Sequence, residues 1–340
     1  LTTFAVILGV SFVVASFVLT DGLTRTFNTI VEDANSEVDV EVRAKDEFAE
    51  VDLGDRPIDE SVFDIVQGVE GVREAIPIAA SFKVIPLKPD GSTIETLAPI
   101  FAFNWQNTKL DALELVDGRY PGPGEFALDE TTADNEGFVI GETYDVVGIN
   151  GREPFDLVGT NRFGEENALA GAVLVSFTLD ELQRLDGSEG QLLFVDISAD
   201  VETQVLIDRL TEVLPPDVEA VSGDVVVSED KEDFSAVVDI FGNVLLAFAL
   251  IAVFVSTFII SNTFNILLGQ RVRELALLRA LGASGRQVRF SSLLESLIVG
   301  VIASIMGLGG GVLLALGLRS VMGWLGLTLP SIDIIIAPRT

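Results

Sequence analysis

The side chains available for chemistry in this chain are carboxylates and arginines. It holds 52 acids and 21 bases, with no histidine and no cysteine. Without a thiol there is no disulfide framework, no thiol nucleophile and no thiolate metal site. Without imidazole there is no histidine-based triad and no H-E-x-x-H metalloprotease site. Carboxylate pairs such as Glu165-Glu166 and Glu229-Asp230 follow no metal-loop spacing and read as a solvated acidic face. No glycine-rich loop ends in Gly-Lys-Ser or Gly-Lys-Thr, so no P-loop is present. A net charge of −31 argues against nucleic acid as a partner. The pattern is that of a non-enzyme, with no catalytic, cofactor-binding or metal residue expected.

The most patterned cluster is Gln270 to Arg289. It sets Arg271, Arg273, Arg279, Arg286 and Arg289 against Glu274 alone. Val272, Leu275, Leu278 and Leu281 recur every third residue and give one apolar stripe on a short helix. Gly282 ends it as a C′ residue, and Ser284-Gly285-Arg286-Gln287 opens the next helix as a capping box. A stripe flanked by charges can dock in a groove, the charges fixing its orientation. Arginines at this position also anchor helix ends to anionic headgroups, and spacing alone leaves the two readings open.

Two other features lie inside apolar runs. Glu295 is costly there, so it is either functional or paired near the interface with Arg286 or Arg289. Gly307, Gly311 and Ala315 fall at i, i+4 and i+8 and form a small-residue ridge for close helix contact, within the chain or at a dimer seam.

These residues need membrane helices to hold them. The mean hydropathy is +0.47 despite the charge, so acid and apolar residues must be segregated. Outside residues 21–239 stand only Glu274, Glu295 and Asp333 against seven arginines; the block itself carries 49 acids and 14 bases. Leu1 to Thr20 has no charge, and about 30 Å of helix spans a bilayer core. Ile240 to Gly269 is likewise uncharged, and Phe290 to Leu318 is interrupted only by Glu295. The expected layout is a membrane helix over 1–22, a second over 240–269 and a third over 290–318. The basic 270–289 loop belongs in the cytoplasm by the positive-inside rule. The N-terminus is then cytoplasmic, and the acidic block and residues 319–340 are outside. An odd count of three spans points to a fourth helix beyond the end of the sequence.

The acidic block carries regular strand and helix signals. Strands are expected at Val38–Arg43, Phe82–Leu87, Thr93–Phe103, Thr143–Ile149, Phe155–Thr160, Ala172–Ser176, Leu192–Ser198 and Val218–Ser222. Helices are expected at Asp59–Gln67, Leu179–Leu185 and Val201–Leu214, with Thr178 to Glu181 as a capping box. This describes an α+β domain over 38–228 with a β-rich insertion at 98–171. Leu23, Phe27, Ile30 and Ala34 extend the first membrane helix as a stalk over 23–37. Phe234, Val237 or Val238, and Phe241 do the same for a stalk over 229–239.

The segment Gln270 to Ser284, reading QRVRELALLRALGAS, resembles the signature loop of FtsX-like permeases of the MacB type, the membrane subunits of type VII ABC systems. Glu295 matches a family acid. Leu115-Val116-Asp117-Gly118-Arg119, Gly124 to Asp129, Ile140-Gly141-Glu142 and Phe155 to Gly159 are similar to the family's extracytoplasmic domain. The resemblance implies a multi-pass protein of the plasma or inner membrane. Arg271, Arg273, Glu274, Leu275, Leu278, Arg279, Leu281 and Gly282 would form a coupling helix that docks on a separate cytoplasmic ATP-binding subunit. ATP would be bound by that subunit, with no cofactor in this chain. A second permease copy or paralogue would complete a dimer. The stalks would relay movement to the outer domain, to extract lipoproteins, peptides or drugs or to regulate a cell-wall hydrolase. A membrane sensor with an acidic ligand-binding domain and no ATPase explains the topology equally, but not the loop. The chain departs from the family pattern in lacking the fourth helix and the amphipathic segment before the first, and in the acidity of its outer domain.

Overall fold

The computed structural model describes residues 2–45, 56–96, 98–163, 171–282 and 284–324. Helix α1 (Thr2–Ala34) opens the chain. Strands β1 (Val40–Ala44) and β2 (Ile58–Asp59) precede α2 (Ser61–Gln67). Next come β3 (Val72–Ile78), β4 (Ala80–Ser81), β5 (Ile85–Pro86), β6 (Ile100–Asn104), β7 (Leu113–Gly118) and β8 (Glu125–Asp129). Helix α3 (Glu130–Glu136), strands β9 (Thr143–Gly148), β10 (Gly151–Phe163) and β11 (Val173–Phe177), and helix α4 (Leu179–Asp186) follow. The domain closes with β12 (Gln191–Leu192), β13 (Phe194–Ala199), α5 (Thr203–Val213) and β14 (Val218–Ser222). Helices α6 (Gly223–Ala280) and α7 (Gly285–Trp324) end the described chain.

The chain divides into a helical unit, formed by residues 1–25 and 234–321, and an acidic unit over residues 26–233. Among the described residues, three helical stretches are long and apolar enough to cross a membrane: Val6–Ala34, Gly223–Thr263 and Leu293–Leu318. Backbone groups in hydrocarbon have no water to bond, so such segments stay helical despite internal glycines.

The acidic unit is built on two main sheets. The first has the order β14-β1-β13-β3. Its strands alternate: Val40 and Val42 of β1, with Val195 and Ile197 of β13, turn into one core with Leu206 and Leu210 of α5 and Val62 and Val66 of α2. The second has the order β4-β6-β11-β8-β10-β9-β5, with β7 paired to β10. Its core gathers Phe126, Leu157, Val175 and Phe177 with Leu182 and Leu185 of α4. The expected Thr178 cap is present: its side chain accepts from the Glu181 amide.

The second sheet is larger than the expected insertion at 98–171. Its strands run from β4 at Ala80 to β11 at Phe177. β4 has only two residues, too few for a period, whereas β5 falls within the expected strand Phe82–Leu87, which shrinks to Ile85–Pro86. Strands β2, β3, β7 and β8 and helix α3 also lay outside the expected set. β8 (EFALD) is buried on both faces, so alternation is lost. α3 (ETTADNE) is polar, and its start is marked by the Asp129 side chain accepting from the Thr132 amide. The expected strand Thr93–Phe103 shrinks to Ile100–Asn104, with Thr93 in an isolated bridge to Leu87. The second stalk begins at Gly223 and the first ends at Ala34, against expected bounds of 229 and 37.

Candidate functional site

The expected coupling segment is not a separate helix. α6 continues unbroken to Ala280, carrying Arg271, Arg273, Glu274, Leu275, Leu278 and Arg279 on its last turns. The apolar period of the membrane span passes into the loop without a proline, so nothing stops the helix earlier. Leu281 donates its amide to the Leu277 carbonyl at 3.0 Å. Gly282 then adopts φ +100°, a conformation that a side chain would resist. The capping box of the next helix is formed. The Ser284 amide and hydroxyl donate to Gln287 Oε1 at 2.9 and 3.0 Å, and the Gln287 amide donates to Ser284 Oγ at 3.3 Å. Around this turn Val272, Leu277 and Leu281 are exposed apolar side chains. The arrangement is a tight helical corner with exposed apolar side chains.

The small-residue ridge of α7 lies against α1. A Cβ on Gly307 would fall 2.7 Å from Val10 Cβ, and one on Gly311 would fall 2.6 Å from Val14 Cβ. Ser11 donates its hydroxyl to the Gly307 carbonyl at 2.9 Å. Ala315 is buried further along. Glycine here lets two backbones approach closely enough for a side chain–backbone hydrogen bond in an apolar setting. Glu295 is exposed on α7, away from this ridge.

The stalks join the first sheet directly. α1 runs into β1 through a turn in which Val38 donates to the Asn35 carbonyl at 3.1 Å. β14 runs into α6, and β14 pairs antiparallel with β1 so that Val40 faces Ser222. Gly223 donates to the Asp39 carbonyl at 3.0 Å, and a Cβ on it would lie 2.1 Å from the Val38 oxygen. Lys231 of α6 pairs with Glu32 of α1. Arg43 of β1 reaches Glu229 of α6 at 2.6 Å, Glu219 of β14 at 3.3 Å and Glu41 at 3.7 Å. Burial opposes the charge of Arg43, yet the carboxylates around it, Glu229 foremost, hold its pKa above the ordinary value. Two helices and two adjacent strands are thus tied at one corner.

Beside this corner is a cavity of about 240 Å³. Glu41, Asp111, Asp196 and Asp230 line it, with Arg43 and the aromatic rings of Phe103, Phe163 and Phe194. Asp111 accepts from the Gln106 and Leu113 amides at 2.9 and 3.1 Å, while burial pushes its carboxyl up to about 6. Asp196 is buried, and its pKa is held well above the ordinary value, first by burial and then by Glu41, Asp111 and Asp230. Among the described residues no group of three or more acids could hold a metal ion. Sequence reasoning missed this cavity; Glu229 and Asp230 are exposed, as expected of a solvated face. From that face Glu229 also pairs with Arg43, and Asp230 lines the cavity. The available signal was the alternation of β1 and β13, which puts Glu41 and Asp196 on the face opposite the valine core. Glu165-Glu166 and most of the segment 319–340 lie outside the described residues.

The motifs Leu115 to Arg119 and Gly124 to Asp129 are brought together. Arg119 clasps the Glu125 carboxylate with both terminal nitrogens, one contact at 2.6 Å, and Glu125 also accepts from the Gly122 amide at 2.8 Å. This pair holds the Glu125 carboxyl below its usual value.

The family described as the MacB-like periplasmic core domain matches residues 1–213, and that of the FtsX-like permease C-terminal matches residues 246–339. Among solved structures, the chain is similar to the periplasmic region of MacB from Actinobacillus actinomycetemcomitans. The identity is 13%, over 57% of this chain and 94% of that one, at a TM-score of 0.42. It is also similar to the extracellular domain of the noncanonic ABC-type transporter YknZ from Gram-positive bacteria. There the identity is 12%, over 54% of this chain and 98% of that one, at a TM-score of 0.39. No curated protein matches the chain. With a core-domain match over more than half its length and a permease match over its last two helices, the chain belongs to the FtsX-like permeases with a MacB-like periplasmic core domain, a family of ABC transporter membrane subunits.

Proposed function

We propose that this chain works mechanically, as the membrane subunit of an ABC complex whose ATP is bound by a separate cytoplasmic protein. Movement started at the α6–α7 corner would pass along α6 to the acidic domain outside the membrane, acting there on a lipoprotein, peptide, drug or hydrolase. The observation that supports this most is the joint at Gly223. α6 leaves β14 with no linker, and α1 enters β1 beside it through one short turn. A displacement of either helix end therefore strains hydrogen bonds of the sheet and is not absorbed by a flexible loop. Arg271, Arg273, Glu274, Leu275, Leu278, Arg279, Leu281 and Gly282 are assigned to the docking corner. A second permease copy or paralogue is assigned as the dimer partner.

The test is copurification. The tagged full chain, extracted from its own membrane in mild detergent, should retain an ATP-binding subunit. Leu278→Glu and Arg273→Glu should each lower the recovered subunit about tenfold, as loss of an anchor residue does at an interface. Undiminished recovery with both variants would remove the docking role and leave the sensor reading.

A further inference from the structure

The cavity beside the stalk joint is lined by carboxylates and aromatic rings. Glu41 and Asp196 stand directly opposite each other on neighbouring strands β1 and β13. Like charges so placed destabilise a sheet unless something separates or neutralises them. Arg43 offsets this only in part. Its guanidinium is taken up by Glu229 and Glu219, with Glu41 its most distant partner at 3.7 Å. Asp196 is only 7% exposed, and its Oδ1 has no hydrogen-bond partner among the described residues. A buried carboxylate oxygen without a donor costs about 1–3 kcal/mol or more, so native proteins seldom leave one without a purpose.

The rest of the lining identifies what would satisfy it. Asp111 and Asp230 add carboxylates from the loop before β7 and from α6. Phe103, Phe163 and Phe194 supply half-buried rings from β6, β10 and β13. Carboxylates combined with aromatic faces match an ammonium or guanidinium group on an apolar body: the charge bonds the acids, and the body packs on the rings. A bare metal ion fits less well, since no group of three acids has metal-holding geometry among the described residues.

We infer that this cavity binds a small organic cation, an ammonium or guanidinium group carried on an aromatic or aliphatic body, with Asp196 as its principal partner. The site stands whether or not the chain docks an ATPase. Burial and the acids Glu41, Asp111 and Asp230 hold the Asp196 pKa well above the ordinary value when the site is empty. A cation arriving there favours the ionised form. Affinity accordingly rises with pH.

The experiment is calorimetric titration of the full chain in lipid nanodiscs with phenethylammonium chloride at about pH 7.5, with empty nanodiscs as blank. The uncharged 2-phenylethanol is titrated in parallel. One saturable site per chain is expected for the cation, with an affinity that rises with pH. Asp196→Asn should weaken binding at least about tenfold, the loss of one charged hydrogen bond, and flatten the rise of affinity with pH. Asp230→Asn, at an exposed position, should fold regardless and weaken binding about threefold. Absence of a saturable site, equal binding of the alcohol, or unchanged affinity in Asp230→Asn and a folded Asp196→Asn would each overturn the proposal.

Discussion

Gly223 and Val38 are in such close approach that a Cβ on the glycine would sit 2.1 Å from the Val38 oxygen. Their contact closes the corner where α6 leaves β14 and α1 enters β1. Gly223→Ala must push these backbones apart and weaken the Gly223–Asp39 hydrogen bond. A loss of about 1–3 kcal/mol is expected, the usual cost of overpacking. Thermal unfolding of the purified full chain measures it. Hydrogen exchange should localise the weakening to β1 and β14, and uniform protection across both strands would refute the role given to this contact.

The helix contact at Gly311 makes a similar prediction in the apolar unit. Gly311→Leu places a branched side chain where Val14 already stands. Separation of α1 from α7 also breaks the bond from Ser11 to the Gly307 carbonyl. The variant should insert in the membrane yet lose at least about 1–3 kcal/mol of stability in detergent. Gly309→Leu is the control, since nothing lies within 4 Å of a Cβ at that position. Equal loss in both variants would show that the ridge has no special part.

Ser284 satisfies the first turn of α7, and Gln287 returns the bond. Ser284→Ala should cost about 1 kcal/mol locally. Because α7 is held elsewhere by α1, the effect should appear as faster amide exchange over residues 284–290 without a lower global melting temperature. Ser284→Asp, another good cap, should restore protection.

Acidity should affect the acidic domain in a stated direction. Burial holds the Asp111 carboxyl at about 6 against 3.8 for the ordinary side chain. The folded domain therefore binds this proton more tightly than the unfolded chain does. The stabilisation is complete below about pH 4 and is lost as the pH rises through about 6. Asp196, also shifted upward, acts with the same sign. Denaturation of wild type and Asp111→Asn from about pH 5 to about pH 7 should show a shallower decline in the variant. Parallel curves would exclude Asp111 as a source of the slope.

The Lys231–Glu32 pair crosses between the two stalks. Glu32 is well exposed, so the pair should be worth only about 0.2–1 kcal/mol and less at high salt. Lys231→Glu should destabilise slightly, and adding Glu32→Lys should recover the loss. A double-mutant cycle reads the coupling energy, and a value of zero at low salt would mean that the stalks are held by other contacts.

Local signals were legible in the sequence wherever they were strong and contiguous. Long uncharged runs mark the membrane helices because hydrocarbon tolerates little else. Ser284 with Gln287, and Thr178 with Glu181, announce helix starts because caps act over three residues. The loop from Gln270 to Ser284 and the motif at Asp117-Gly118-Arg119 also carried the family. Only the tertiary structure decided the rest. It joined Arg43 to Glu229 across most of the domain, set Glu41 opposite Asp196 through strand register, and laid Gly307 and Gly311 on Val10 and Val14. It also carried α6 into the basic segment as far as Ala280 and recruited the two-residue strand β4 into the second sheet. Such pairings depend on which distant segments meet. No period or composition encodes that choice, because the energy that selects it comes from packing and desolvation in the assembled fold.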